Sequence, residues 1–531
     1  MHKDELLELH AKMVSIMEHF REMDGVDASA FDPYDELDVT PDDVHKSKSE
    51  HKHAVFVLRT GRGRRVQTVG LSPNGTLKRR GPQVRPMEPL RSEESVAGRE
   101  GLVSRAVRIP DPPRPHAVLG AAAAPRTFWS APGEPTVVGS GAAATITDGG
   151  PCRFATVREA AEELFSSGDV HAGSLSARPR LFGGFAFHDE HSAEGSWRGY
   201  PGAEFVLPRV QVTYDESAWL SVNAVDADPE AVEERLASAR ENLLTTGVPG
   251  GTGRGPPGVR SRERTTSLEE WRHSVTAATD RIEAGELRKV VLAQALETRL
   301  DGPLSVPDAL SRLADTYPDC VRFLFEPADG EAGFFGATPE QLVGLRGRTV
   351  ETGALAGTTG RGDTPEEDEW LAEELLDDDK NVHEHELVAD AIREQLAPYA
   401  ASIRAGQRRI RRLATVQHIE TPMTAELASD EHVLTLVEAL HPTPAVGGLP
   451  PDEALRTIRD TEPFERGWYA APVGWFDAAG YGSFGVAIRS AVARDDTATL
   501  FAGVGIVADS DPDREWDEVQ LKYRPILDEL E

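Results

Sequence analysis

DDDKNVHEHELV, residues 377–388, sets two histidines and two glutamates side by side at His383 to Glu386. Whether this is a metal helix, and for which metal, decides the fold around it. Zinc histidines on a helix sit at i and i+4, on one face. His383 and His385 are two positions apart, so they point about 200° away from each other on a helix. One tetrahedral ion cannot use both, which argues against a zinc hydrolase. Glu384 is better placed, with Lys380 one turn earlier on the same face. An oxygen ligand on an acidic helix suits Mg2+, which takes one or two carboxylates and leaves its other positions to water and an anionic substrate. Standing alone, Glu384 would read as a solvated helix charge.

A second stretch repeats the pattern. DREWDEVQLK, residues 513–522, places Glu515, Glu518 and Lys522 at i, i+3 and i+7 on one helix face. Just before it, FAGVGIV (501–507) ends a strand with Gly503 and Gly505, where backbone N–H groups can approach an anion closely. Arg489 is a charge inside the otherwise apolar strand FGVAIRSAV (484–492). Burying it unpaired is costly, and bidentate binding of a carboxylate is its natural use.

Composition narrows the partners. The chain has 531 residues, 39% of them hydrophobic, and a formal net charge of −32, so binding of nucleic acid through a basic surface is excluded and an anionic ligand needs a local cluster of cations. No run reaches the ~18 apolar residues of a membrane span, and the polar start MHKDELLELH is unlike a secretory signal. Two cysteines, Cys152 and Cys320, rule against a disulfide framework or a cysteine zinc site. A cytoplasmic protein is expected. Nine lysines stand against 48 arginines, and such an acidic, lysine-poor composition suits life in concentrated salt. Beyond residue 78 only Lys289, Lys380 and Lys522 remain. Lysine, unlike arginine, can lose its proton when desolvated, so a chain that discards surface lysine keeps it where its chemistry is needed.

Residues 1–58 read as a helical appendage and 59–98, rich in Arg, Gly and Pro, as a disordered linker. From residue 99 the character becomes that of a folded catalytic domain. VVGSGAAATIT (137–147), RLFGGFAFHD (180–189), FVLPRVQVTYD (205–215) and WLSVNAV (219–225) read as strands. A helix at 227–245 and a flexible loop at 247–264 follow. The second half alternates irregularly: helix 267–285, strand 289–298, helix 306–316, strands 321–352, one long acidic helix 365–397, strand 408–415, helix 430–440, a hairpin of 469–478 with 481–493, strand 499–507 and helix 513–530. Strands mostly neighbour one another in hairpins, which favours α+β with antiparallel sheets over a regular βαβ order.

Taken in order, RKVVLAQ (288–294), FFGATPEQL (334–342), ETGALAGTTGRG (351–362), the 368–388 helix, VQHIETPM (416–423), HPTPAVGG (441–448), ERGWYAAPVGW (465–475), AGVGIV and EWDEVQLK resemble the chorismate-utilising enzymes: isochorismate, anthranilate, salicylate and aminodeoxychorismate synthases. LFGGFAF (181–187) extends the likeness into the first half. Each motif is modest alone; their joint order over about 240 residues is highly specific. Residues 1–58 resemble a small uncharacterised family of salt-loving archaea. The resemblance implies two large, mainly antiparallel β-sheets packed together with helices outside and the active site in the cleft between. It implies Mg2+ held by Glu384 and Glu518, with Glu515 near as a water-mediated partner. Tyr469, Arg489, Lys522 and the amides near Gly503 and Gly505 would hold the carboxylates of chorismate.

Within the family, a covalent lysine route uses a P-I-K-G-T motif; here the stretch is ALAGT, with Ala356 in the lysine's place. Anthranilate synthases resemble HPxGTVSGAPK; here HPTPA puts Ala445 where the lyases have threonine, a form that resembles isochorismate synthases. A glutaminase subunit is not expected, and a monomer is. Salicylate synthase, which adds pyruvate elimination, is the nearest rival, and an inactive chorismate-binding regulator is the non-enzyme one. The resemblance then implies that water adds at C2 as the C4 hydroxyl leaves. Lys289 would be the general base, burial favouring its neutral amine, and Glu340 the general acid, kept protonated by its surroundings. His418 would orient the acid or substrate near C4; the bland reading is a satisfied core histidine. Menaquinone or siderophore synthesis would consume the product. One departure stands out: Gln294 occupies the place of an arginine in KVVLAR, and a neutral hydrogen bond is expected there.

Overall fold

The chain divides into two units, Met1–Glu93 and Glu94–Glu531. The computed structural model describes residues 101–245 and 254–531, together with residues 14 and 40. The helical appendage and linker expected before residue 99 therefore lie outside the described residues.

Two long strands explain the architecture of the second unit. Thr136–Asp148 and Ala203–Tyr214 pair antiparallel, with a register shift between Ala142 and Ala144. Pro208 faces Ala142 at that point, and a proline cannot donate to the ladder, so the ribbon bends there. Its two ends feed two different arms of sheet. In the first arm, Thr136–Asp148 is followed by Arg126–Ser130, Val321–Phe325, Gly333–Thr338, Ser490–Arg494, Thr497–Ile506, Lys289–Leu300 and Val259–Arg264. In the second, Ala203–Tyr214 is followed by Arg180–Phe185, Pro472–Asp477, Gly482–Val486, Gln341–Arg346, Thr349–Gly360 and Val416–Leu427. Among the described residues only Leu102–Ile109 and Asp169–His171 pair parallel. One apolar cluster draws on both arms, with Phe323, Phe334 and Leu500 from the first and Phe182, Phe476 and Phe484 from the second. This is the expected α+β class. No described helix is long and apolar enough to cross a membrane.

Lys289–Leu300 is buried from Lys289 to Leu296 without a break, as expected of a strand covered on both faces. That is why its sequence shows a continuous apolar run rather than alternation. The edge strand Val259–Arg264 lies within the stretch read as a flexible loop. Its residues are almost all exposed, so no hydrophobic pattern marks it; hydrogen bonding to Lys289–Leu300 creates it.

Other expectations are corrected in detail. The acidic helix is two helices, Pro365–Asp377 and Asp379–Leu396. Asp378 is extended at ψ 112 and caps the second, its carboxylate accepting from Asn381 N at 2.8 Å. Asp is among the best N-cap residues, and a run of three aspartates offers one. The stretch 481–493 is likewise broken, into Gly482–Val486 and Ser490–Arg494. Arg489 lies in that break, not in a strand, at φ 53. The helix Arg153–Ser166, missed in the sequence, buries Phe154, Val157 and Ala161, a helical spacing that was there to be read.

Candidate active site

The chain passes from the first arm to the second between Gly333–Thr338 and Gln341–Arg346, and returns between Gly482–Val486 and Ser490–Arg494. Glu340 stands at the first crossing and Arg489 at the second. Glu340 is fixed at the seam from both sides: its N–H donates to Thr338 Oγ1 at 3.1 Å, and its carbonyl accepts from Val486 N at 3.0 Å. A cavity opens beside it, with about 620 Å3 of empty space, part of it open to solvent.

Eleven of the residues singled out in the sequence line this cavity: Glu340, Ala356, Glu384, His418, Ala445, Tyr469, Arg489, Gly503, Gly505, Glu518 and Lys522. Lys289 joins them through Glu384, its Nζ lying 2.8 Å from Oε1. Glu515 is not on the wall; it sits behind, 3.1 Å from Lys380 Nζ. Lys380 is thus paired with the other helix rather than with Glu384, its neighbour by helical spacing. The glycines leave room for their neighbours. A Cβ on Gly505 would lie 2.5 Å from Glu384 Oε1 and 2.9 Å from Lys289 Cε, and one on Gly503 would lie 3.1 Å from Tyr469 Oη. The carbonyl of Gly503 is itself engaged, accepting from Lys522 Nζ at 3.0 Å.

The charges are arranged unevenly. Burial pushes the Glu340 carboxyl up to about 7, against the pull of Lys289, Arg489 and Lys522, so it holds a proton at pH values where an ordinary carboxyl has lost it. Burial opposes the charge of Glu384 too, but the hydrogen-bonded Lys289 outweighs it and holds that carboxyl below its usual range. Lys289 is 1% exposed and is ion-paired with Glu384. His418 is held well below its ordinary value by burial and by the nearby Arg489 and Lys522, so it is a neutral imidazole. Its Nδ1 is 3.0 Å from Thr358 Oγ1, and its Nε2 has no protein partner. Arg489 is buried, has no ion-pair partner among the described residues, and faces the cavity. A lone buried guanidinium there is poised for a carboxylate.

Arg466 was missed. It is 1% exposed, grips Glu462 with Nε and Nη2, and donates to the carbonyls of Val446 and Val291. It braces two segments of the cavity wall. The i, i+4 spacing of Glu462 and Arg466 was the available signal. Gln294 is also at variance with expectation: it is fully buried, and neither its Oε1 nor its Nε2 has a protein hydrogen-bond partner.

The donor chemistry bears on a metal. Among the described residues no group of three His, Cys, Asp or Glu side chains is arranged to hold an ion. His383 is exposed, while His385 is buried with Nε2 2.7 Å from Thr421 Oγ1, so HEHE is not a joint site. Besides Glu340, the carboxylates of Glu384 and Glu518 face the cavity, paired with Lys289 at 2.8 Å and Lys522 at 2.6 Å. Behind them, burial first and then Glu518 raise the Glu515 carboxyl above its usual range, against the pull of Lys380. An all-oxygen pair of carboxylates fits a hard cation that keeps positions for water and substrate.

Comparisons with known proteins identify the family. Residues 90–531 match the family described as chorismate binding enzyme, and residues 1–68 match uncharacterised protein family UPF0058. Isochorismate synthase MenF of Bacillus subtilis is 34% identical over 76% of this chain and 88% of its own. The salicylate biosynthesis isochorismate synthase of Pseudomonas aeruginosa is 36% identical over 81% of this chain and 90% of its own. The solved structure of MenF, the menaquinone-specific isochorismate synthase of Escherichia coli, superimposes with a TM-score of 0.69 at 25% identity, covering 82% of this chain and 96% of the other. With a family match over most of its length, this chain belongs to the chorismate-binding enzymes.

Proposed function

We propose that this chorismate-binding enzyme is an isochorismate synthase, converting chorismate to isochorismate by adding water at C2 and releasing the C4 hydroxyl. The observation that carries the reading is one cavity in which a buried carboxyl pushed up to about 7, Glu340, stands within electrostatic reach of the buried Lys289 and Arg489 and the partly buried Lys522. Hydroxide is a poor leaving group, and Glu340 supplies its proton. Water is a poor nucleophile, and Lys289 in its neutral amine form takes its proton, with Glu384 steadying the ammonium that forms. Arg489 and Lys522 hold the substrate's carboxylates, and Tyr469, stacked on Phe501 at 5.3 Å, walls the ring. His418, neutral and with Nε2 free of protein partners, orients the C4 side. Ala356, rather than a lysine, lines the wall, which favours water over a covalent amine. Glu384 and Glu518 would hold Mg2+, and Glu515 would stay behind them. When bound, the ion supplies positive charge to a substrate carboxylate.

The deciding experiment is incubation of the purified protein with chorismate, with Mg2+ or with a chelator, and chromatographic separation of products. Isochorismate formed only with Mg2+ is expected. Salicylate with pyruvate would make it a salicylate synthase, and binding without turnover would make it a regulator.

A further inference from the structure

The mechanism leaves one half-buried cation unused. Lys380 is one turn before Glu384 on Asp379–Leu396, and its Nζ lies 3.1 Å from Oε1 of Glu515 on the C-terminal helix. Glu515, Glu384 and Glu518 are all within electrostatic reach of it. Its ammonium therefore sits in the field of all three carboxylates, yet it binds the one that does not reach the cavity wall.

We infer that Lys380 is a positioning residue that withholds Glu515 from the metal site and thereby sets its preference for Mg2+ over Ca2+. This rests on the reading that Glu384 and Glu518 hold a divalent ion. Mg2+ is served by one or two carboxylates and keeps its waters, whereas Ca2+ takes 6–8 oxygens in flexible geometry. Glu515 is one turn from Glu518 on the same helix face and is 3% exposed. Freed from Lys380, it is an additional carboxylate, one turn from Glu518, that could enlarge the oxygen shell. Loss of the lysine charge alone would strengthen both divalent ions alike. A change in their ratio therefore isolates the third carboxylate.

The test is calorimetric titration of the full-length protein with MgCl2 and with CaCl2, without chorismate, alongside circular dichroism to verify folding. Lys380→Gln should tighten both ions and tighten Ca2+ about tenfold more than Mg2+. Lys380→Arg, which keeps the cation, should retain the wild-type ratio. Lys380→Gln combined with Glu515→Gln should lose the additional gain for Ca2+. A ratio in Lys380→Gln within about twofold of wild type would overturn the inference, as would a Ca2+ gain that survives in the double variant. Glu384→Gln separates the two levels. If it binds both ions like wild type, the metal reading itself fails; if it abolishes binding while the Lys380→Gln ratio stays unchanged, only the selectivity role fails.

Discussion

Lys289 Nζ lies 2.8 Å from Glu384 Oε1, and the space this pair needs is kept open by the missing side chain of Gly505. The contacted atoms are the far ends of flexible side chains, so Gly505→Ala should fold. It should displace the pair, lowering turnover by at least about tenfold with a stability loss of about 1–3 kcal/mol. Chorismate consumption and a melting curve on the same preparation check this; full activity would show that the pair tolerates displacement.

Lys289→Ala and Glu340→Gln remove the proposed base and acid. Each should cost about 10²–10⁴-fold in kcat while leaving the circular dichroism spectrum unchanged. A Lys289→Ala enzyme that still turns over at the wild-type rate would remove that residue from the mechanism.

Glu340 also has a stability signature. Its folded value, pushed up to about 7 by burial, exceeds the ordinary 4.5. The native state therefore holds a proton that the unfolded chain gives up. The stability it contributes is fully present below the unfolded value and is lost as pH rises through about 7. Relative to Glu340→Gln, the wild type should lose on the order of 2–3 kcal/mol of unfolding free energy between about pH 5 and about pH 8. Denaturant titrations at the two pH values give the answer, and parallel curves for both proteins would refute it.

Gln294 has two buried polar atoms without protein partners. Replacing them with an apolar side chain of similar length, Gln294→Met, should stabilise by about 1–2 kcal/mol. A loss of stability would mean that the amide is satisfied in solution.

The net charge of −32 sets the salt response. Exposed carboxylates repel one another over a screening length of about 8 Å at physiological salt and about 30 Å in dilute buffer. Both the thermal midpoint and activity should fall on dialysis to low salt; equal values in dilute buffer would contradict salt adaptation.

What the sequence made legible was local. Glu515, Glu518 and Lys522 share a helix face because their spacing says so, and Lys289 stands out because lysine is rare in this chain. The partnerships were not legible. Glu384 was matched with Lys380 by helical spacing, but the structure pairs it with Lys289 from a distant strand and gives Lys380 to Glu515. Long-range packing overrides a weak i, i+4 preference. Arg489 read as a strand residue because its neighbours are apolar; nothing local announces that the chain changes arms there with a left-handed residue. Val259–Arg264 was hidden because an exposed edge strand owes its existence to the strand beside it rather than to its own residues.

Lys289–Leu300 lies against Thr497–Ile506, so a ribosome must emit roughly two hundred further residues before that ladder can close. Until then the nascent chain carries an apolar ribbon with a raw edge, the kind of surface that chaperones shield. Catalytic competence should thus arrive late and all at once, when the C-terminal helix docks and brings Glu518 and Lys522 with it.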